Sequence, residues 1–399
     1  MYRDLVEKLV QKNDSKILLA VIDGVGDISI DELGGRTPLE AAETPEMDRL
    51  ALEGALGLHT PIARGITPGS GPAHLGLFGY DPVRYQVGRG VLAALGVGFK
   101  LQHGDLAARI NFCTLDDSGV VTDRRAGRIS TEKCVELVGL LTDIQIDGVE
   151  TFVIPVKQHR ACVVFRGNGL IDDIEDTDPG LVGHKPVPVT GSGKSRTVVR
   201  DFLEKAGAIL TGLKPANFLL LRGFALHKEF PLIEERFGLR AAAVALYPMY
   251  RGVAGLVGMD IMKCSPEDIT GQKKAVKKAL DSGHDFIFLH HKPADSAGED
   301  GNVQAKIAAI EKFDRTLPSF VNLGFEVICI TGDHSTPCPM KLHSWHPVPV
   351  LIHGGPQRSG YSSEFTERQA GSGSLGLFMS TDILPLLLAS AGKLAKFGA

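Results

Sequence analysis

The chain contains no C-x-x-C pair: its six cysteines, Cys113, Cys134, Cys162, Cys264, Cys329 and Cys338, are scattered, several of them inside apolar runs. That argues against a disulfide framework and reads as reduced core residues of a cytosolic protein. No apolar run approaches the roughly 18 residues of a membrane-spanning helix, so no membrane partner is expected. Met1 to Lys16 alternates charged and apolar residues and lacks both the apolar stretch and the small-residue cleavage site of a secretory leader, which places the expected location in the cytoplasm. A strong charge of either sign is also missing. The formal net charge is −4, which gives no electrostatic reason to expect nucleic acid or an anionic membrane surface. Internal repeats and low-complexity tracts are absent too. What remains is 43% apolar and 23% charged residues, the composition of a soluble globular protein. At 399 residues the chain exceeds what one core usually absorbs, so two domains, or one large domain with an insertion, are expected.

Three apolar runs end in polar residues able to bind a ligand. Ile17 to Ile22 precedes Asp23, Phe286 to Leu289 precedes His290 to Asp295, and Phe325 to Ile330 precedes Thr331 to Ser335. Short, continuous apolar runs alternating with helical patterns predict parallel strands of an α/β sheet sandwiched by helices. Functional residues of such sheets gather at the carboxyl ends of the strands. The first and last runs lie over 300 residues apart, so both ends of the chain build one sheet and the middle is an insertion. The expected division is a core of residues 1–88 and 224–399 with an inserted α+β cap of residues 89–223. Ser380 to Ala389 reads as a final helix with a polar N-cap and Pro385 in its first turn.

Thr331-Gly332-Asp333-His334-Ser335, with His343 nine residues past His334, sets an Asp and two His where a buried strand ends, a pattern suited to a divalent metal. Asp23-Gly24-Val25-Gly26 is no dinucleotide fingerprint, since position 29 is Ser; alone it reads equally well as an Asx turn. Ser70 stands in the Gly/Pro-rich loop Gly65 to Pro72 where a helix is expected to begin. A Ser there is usually a cap, but free backbone N–H groups and the helix dipole also favour a phosphate, and a bound metal would make the hydroxyl a nucleophile at neutral pH. Asp295 and Glu299, four apart, would present two carboxylates on one side of a helical turn. Thr190 to Ser195 resembles the tail of a P-loop, but Pro188 stands where the motif needs Gly, so a flexible turn is expected.

Taken in order, Asp23-Gly24-x-Gly26-Asp27, Thr67-Pro68-Gly69-Ser70, Phe78-Gly79-Tyr80-Asp81-Pro82, Gly88-Arg89-Gly90, Asp123 to Ile129 and Thr331 to Cys338 resemble the archaeal-type cofactor-independent phosphoglycerate mutases of the alkaline phosphatase superfamily, nearly end to end. The resemblance implies an isomerase interconverting 3-phosphoglycerate and 2-phosphoglycerate in glycolysis and gluconeogenesis through a phosphoserine at Ser70, with no need for 2,3-bisphosphoglycerate. It implies two divalent ions, usually Mn²⁺, with Mg²⁺, Co²⁺ or Zn²⁺ as substitutes. One would be held by Asp23, Ser70, Asp333 and His334, the other by Asp295, Glu299 and His343. Paired ions stabilise attacking and leaving oxygens, while a closing cap keeps water from the phosphoserine. Arg128 and Arg160 are expected to clamp the substrate's carboxylate or phosphate, with Asp178 and Arg251 completing the substrate-binding set. The chain departs from the family pattern at Glu299, where His is usual, and at Gly71, Pro72, Gly180 and Arg251. Those departures keep two alternatives open: a related metal-dependent phosphohydrolase or phosphotransferase acting on another small phosphate or phosphonate, or a catalytically impaired paralogue.

Overall fold

The computed structural model describes residues 2–398. Among them thirteen strands form: β1 (Ile17–Ile22), β2 (Ala55–Thr60), β3 (Leu106–Leu115), β4 (Val121–Asp123), β5 (Glu150–Lys157), β6 (Arg160–Arg166), β7 (Phe218–Leu226), β8 (Ala241–Val244), β9 (Asp260–Ile261), β10 (Phe286–His291), β11 (Val327–Thr331), β12 (Val348–His353) and β13 (Gly376–Met379). The chain divides into two compact units, residues 1–86 with 231–399, and residues 87–230.

The first unit holds an eight-stranded sheet in the order β13-β2-β12-β11-β1-β10-β8-β9. Every residue of β1 is apolar and buried, because the strand is flanked by parallel neighbours and covered on both faces, as continuous apolar strands of parallel sheets are. Val21 lies level with His290 and Thr331, and Ile22 with His291. The carboxyl ends of three strands therefore coincide, and Asp23, His290 to Lys292 and Gly332 to His334 emerge at one edge. The sheet is mostly parallel, with β12 running antiparallel to β11 and β2. Leu18, Ala20, Leu289 and Ile330 share a core with Leu50, Val276, Ile310 and Phe313, contributed by helices Pro45–Glu53, Ile269–Asp281 and Val303–Thr316. The expected final helix is interrupted: a 3-10 turn, Ser380–Asp382, precedes helix Ile383–Ser390. The Asp382 carboxylate accepts from the Met379 N–H at 3.3 Å and so caps the 3-10 turn instead of the helix.

In the second unit β3 pairs antiparallel with β4, β6 and β7, and β5 with β6. Leu106, Ala108, Ile110 and Phe112 alternate inward against Leu137, Val198 and Phe202 of helices Thr131–Leu141 and Gly193–Leu210. The intervening positions, Arg109 and Asn111, stand on the opposite face, where Arg222 pairs with Arg109 and Arg160 with Asn111. The P-loop-like segment is pinned: the Lys194 ammonium donates to the carbonyls of Gly148 (2.8 Å) and Asn168 (2.9 Å), so it has a structural partner set of its own. All six cysteines are free, five of them buried and Cys264 half-buried. Among the described residues no helix is long and apolar enough to cross a membrane.

Gly90, in helix Arg89–Gly96, brings backbone against backbone: a Cβ there would lie 2.3 Å from the Ala107 carbonyl oxygen. Alanine is the better helix former by up to about 1 kcal/mol, yet an overlap with main chain cannot be relieved by a rotamer change. Gly90→Ala is expected to lower unfolding free energy by roughly 1–3 kcal/mol, read as a drop in the urea midpoint. An unchanged midpoint would mean that this contact is loose.

Candidate active site

Ser70 begins helix Ser70–Leu77, and its Oγ lies 3.3 Å from Nε2 of His334. That nitrogen is also 3.1 Å from Asp333 Oδ2 and 3.5 Å from Asp23 Oδ1. Ligand atoms of Asp23, Asp333 and His334 lie within 4.8 Å of one another, as do those of Asp295, His334 and His343. The structure therefore brings together six of the seven residues that the sequence proposed as metal ligands. Glu299 is in neither group, although its charge reaches Lys292 beside Asp295. It is exposed on helix Pro293–Asp300, whereas Asp295 on the same helix is buried.

Proton positions test whether these residues suit a cation. The Thr336 hydroxyl donates its one proton to Asp295 Oδ1 (2.8 Å), so its 3.0 Å contact with His334 Nδ1 requires the ring to donate there. His334 Nε2 then carries a lone pair directed at two carboxylates. In the same way His343 Nδ1 donates to the Pro68 carbonyl at 3.0 Å, which leaves its Nε2 lone pair 3.6 Å from Asp295 Oδ1. Asp23 Oδ1 and Asp333 Oδ2 are buried with no hydrogen-bond donor; the nitrogens near Asp333 Oδ2 approach it in poor geometry for such a bond. Lone pairs and unpartnered carboxylate oxygens converging in a buried space are costly unless a cation joins them. The mixed N/O donor set fits a divalent metal such as Mn²⁺ or Zn²⁺.

A second layer fixes these groups. Asp23 Oδ2 accepts from the Tyr250 hydroxyl and lies 3.3 Å from His290 Nε2 and 3.4 Å from the Lys292 ammonium. Tyr250 and His290 stack at 3.6 Å. Burial alone would push the Asp23 carboxyl up, but Lys292, His290 and His334 outweigh it and hold it well below the usual range. Burial pulls His334 down, in keeping with a neutral ring. His74 Nδ1 donates to the Ser70 carbonyl at 2.8 Å and lies 3.2 Å from Asp333 Oδ2. Its ring is thus committed to backbone and ligand, and the ring nitrogen in reach of the Ser70 hydroxyl is that of His334. Below the ligand loops the fully buried Lys306 ammonium donates to Asp27 Oδ2 (2.8 Å), Gly26 O (3.1 Å) and Thr336 O (2.9 Å), tying the loop after β1 to the loop after β11.

In the second unit the proposed substrate residues fall in a basic cluster. His159 is pushed down to about 4 by burial and by the guanidinium groups of Arg160, Arg125, Arg109 and Arg128. Burial and the charges of Arg222 and Arg160 lower Arg89 as well. Arg128 is exposed and closes a left-handed turn, with φ +46° at Ala126, +63° at Gly127 and +54° at Arg128. Such backbone costs non-glycine residues about 1 kcal/mol or more each. The Asp123 carboxylate holds the turn by accepting from the N–H groups of Arg125 (2.7 Å) and Gly127 (2.6 Å). Asp178 is already engaged: Arg124 donates to it at 2.7 and 2.9 Å and Arg222 lies at 3.3 Å. Arg251 belongs to the first unit, where its guanidinium donates to the Leu246 carbonyl at 3.4 Å.

The sequence marked His290 and Arg89 only as parts of longer segments, without a role, and Tyr250, Lys292, Arg109 and Arg222 were given none. Arg109 had a signal, a charged residue alternating with apolar ones in a buried strand. Tyr250 and Lys292 had none, since an aromatic in a helix and a lysine at a strand end look ordinary.

The family model described as 2,3-bisphosphoglycerate-independent phosphoglycerate mutase matches residues 51–215. A probable 2,3-bisphosphoglycerate-independent phosphoglycerate mutase of Aquifex aeolicus is 46% identical, the match covering 99% of this chain and 100% of that one. A counterpart in Thermus thermophilus is also 46% identical, with 99% of each chain covered. Among solved structures, a Pyrococcus horikoshii protein superposes with a TM-score of 0.85 at 34% identity, over 97% of this chain and 100% of that one. The cofactor-independent phosphoglycerate mutase of Thermoplasma acidophilum gives 0.69 at 32%, over 95% and 100%. With relatives 46% identical matching it from end to end, the chain belongs to the 2,3-bisphosphoglycerate-independent phosphoglycerate mutases, a family of isomerases.

Proposed function

We propose that the chain interconverts 3-phosphoglycerate and 2-phosphoglycerate by passing the phosphoryl group through Ser70. The observation that carries this reading is the Ser70 hydroxyl 3.3 Å from the lone-pair nitrogen of His334, within the Asp23–Asp333–His334 group. Two divalent ions, Mn²⁺ foremost, would be held by Asp23, Ser70, Asp333 and His334 and by Asp295 and His343, supplying the charge that acidifies the hydroxyl and offsets that of the phosphoryl oxygens. Ser70 attacks phosphorus in line and displaces the glycerate hydroxyl; the glycerate turns, and its other hydroxyl takes the group back. The start of helix Ser70–Leu77 favours the anion through its free N–H groups and dipole. Asp23 keeps its orientation through the Tyr250 hydroxyl, and Asp333 through the Gly24 N–H, which donates to its Oδ1 at 3.2 Å.

Arg128 and Arg160, with Arg109 beside them, are proposed to recognise the substrate's carboxylate or phosphate, for which planar guanidinium groups are suited. Arg160→Ala is expected to raise KM about ten- to a hundredfold with a smaller change in kcat, since charge-assisted hydrogen bonds contribute about 1.5–3 kcal/mol. Equal loss in kcat and kcat/KM would instead place Arg160 at the reacting atoms.

The phosphoserine is tested by acid-quenching the Mn²⁺-loaded protein during turnover and mapping phosphate by peptide mass spectrometry. Phosphate on the peptide containing Ser70 is the expected result. Phosphate on a histidine, or none with turnover under way, would overturn the route.

A further inference from the structure

Lys292 contacts a carboxylate from each of the two ligand groups. Its ammonium lies 2.6 Å from Asp295 Oδ2 and 3.4 Å from Asp23 Oδ2, with the Tyr250 hydroxyl at 3.2 Å. The two aspartates depend on it differently. Asp23 Oδ2 also accepts from the Tyr250 hydroxyl, so its orientation does not rest on the lysine alone. Asp295 Oδ2 has the short ion pair with Lys292, while its Oδ1 has the Thr336 hydroxyl. Glu299, the third residue expected at the Asp295 site, is exposed and outside the group, so that site has fewer charged donors than the one around Asp23 and Asp333.

We propose that Lys292 is an internal competitor for the Asp295–His343 ion site, which makes the two ion sites unequal in affinity. A divalent ion that takes Asp295 must displace or repel a cation already paired with that carboxylate, whereas the Asp23–Asp333–His334 site has two oxygens without a donor. Ion pairs this sheltered exchange only at a cost, because the separated charges lose both each other and their solvent. The inference rests on the two-ion reading above, but it concerns affinity and not turnover.

The test is calorimetric titration of Mn²⁺ into chelator-stripped full-length protein, with bound metal counted by elemental analysis, for the wild type, Lys292→Met and Lys292→Arg. The wild type should show one tight and one weak event. Lys292→Met, which keeps the length of the side chain without its charge, should tighten the weak event by about tenfold or more, the scale on which groups adjoining metal ligands act. The tight event should move less than about threefold, and Lys292→Arg, retaining the cation, should keep the wild-type gap. Two equal sites in the wild type, or a weak site unchanged or weakened in a Lys292→Met protein that melts cooperatively, would overturn the proposal. Should Lys292→Met fail to fold, the Arg variant decides: a bulkier, always charged competitor must leave the sites unequal, and equal sites would overturn the idea. Two unequal events in a protein without mutase activity would sink the functional reading and leave this one standing.

Discussion

Ser70→Ala is expected to lower kcat for phosphoglycerate isomerisation by about ten-thousandfold or more, to the level left when a nucleophile is removed from an otherwise intact site. The two other hydroxyls beside this group are committed: Thr336 gives its proton to Asp295 and accepts from His334, and Tyr250 gives its proton to Asp23. Ser70 is only part-buried and starts its helix without a side-chain cap on Gly69. The variant loses one part-buried hydrogen bond, to His334, so it should unfold within about 0.5–1.5 kcal/mol of the wild type. That separates loss of chemistry from loss of structure. Activity within about tenfold of wild type would remove Ser70 from the reaction.

Lys306→Met should have the largest effect on stability. The ammonium is fully buried and all three of its protons are donated, to Asp27, Gly26 and Thr336. Removing it strands the buried Asp27 carboxylate, a loss of about 3–5 kcal/mol when one partner of such a pair is deleted. The backbone N–H of Cys338 still donates to Asp27 at 3.1 Å, so part of the carboxylate's demand stays met and the lower end of that range is expected. Because Thr336 touches both Asp295 and His334, looser metal binding should accompany the loss. The measurement is urea unfolding of chelator-stripped protein, where the ions cannot mask the difference. A change below about 1 kcal/mol would show that water replaces the ammonium at no cost.

Much of this was legible in the sequence for a physical reason. A strand buried on both faces has to be continuously apolar, so its end is marked by the first polar residue; Asp23 and Asp333 stand just past β1 and β11 for that reason. The gathering of functional residues at the carboxyl ends of parallel strands then puts Asp23, Asp295, Asp333 and His334 together as candidate ligands on sequence grounds alone. Glu299 shows where the reading stops. Four residues along a helix keep two side chains on nearly one face but carry the second about 6 Å along the axis, far enough to move from a buried ligand position at Asp295 to solvent. Lys292 and Tyr250 were illegible because their roles depend on a carboxylate that only the fold brings near. The basic cluster of the second unit was half visible: Arg128 and Arg160 could be named, while Arg89 and Arg222 join them through strand register and a helix start that composition does not specify.

The measurement that tests the central claim most directly follows the fate of the phosphoryl group. Chelator-stripped protein is supplied with Mn²⁺, Mg²⁺, Co²⁺ or Zn²⁺ and 3-phosphoglycerate, without 2,3-bisphosphoglycerate; 2-phosphoglycerate is read through enolase and inorganic phosphate is read in parallel. The predicted result is metal-dependent isomerisation, strongest with Mn²⁺, that far exceeds phosphate release. Phosphate release that outruns isomerisation, or isomerisation indifferent to removal of the metal, would contradict it.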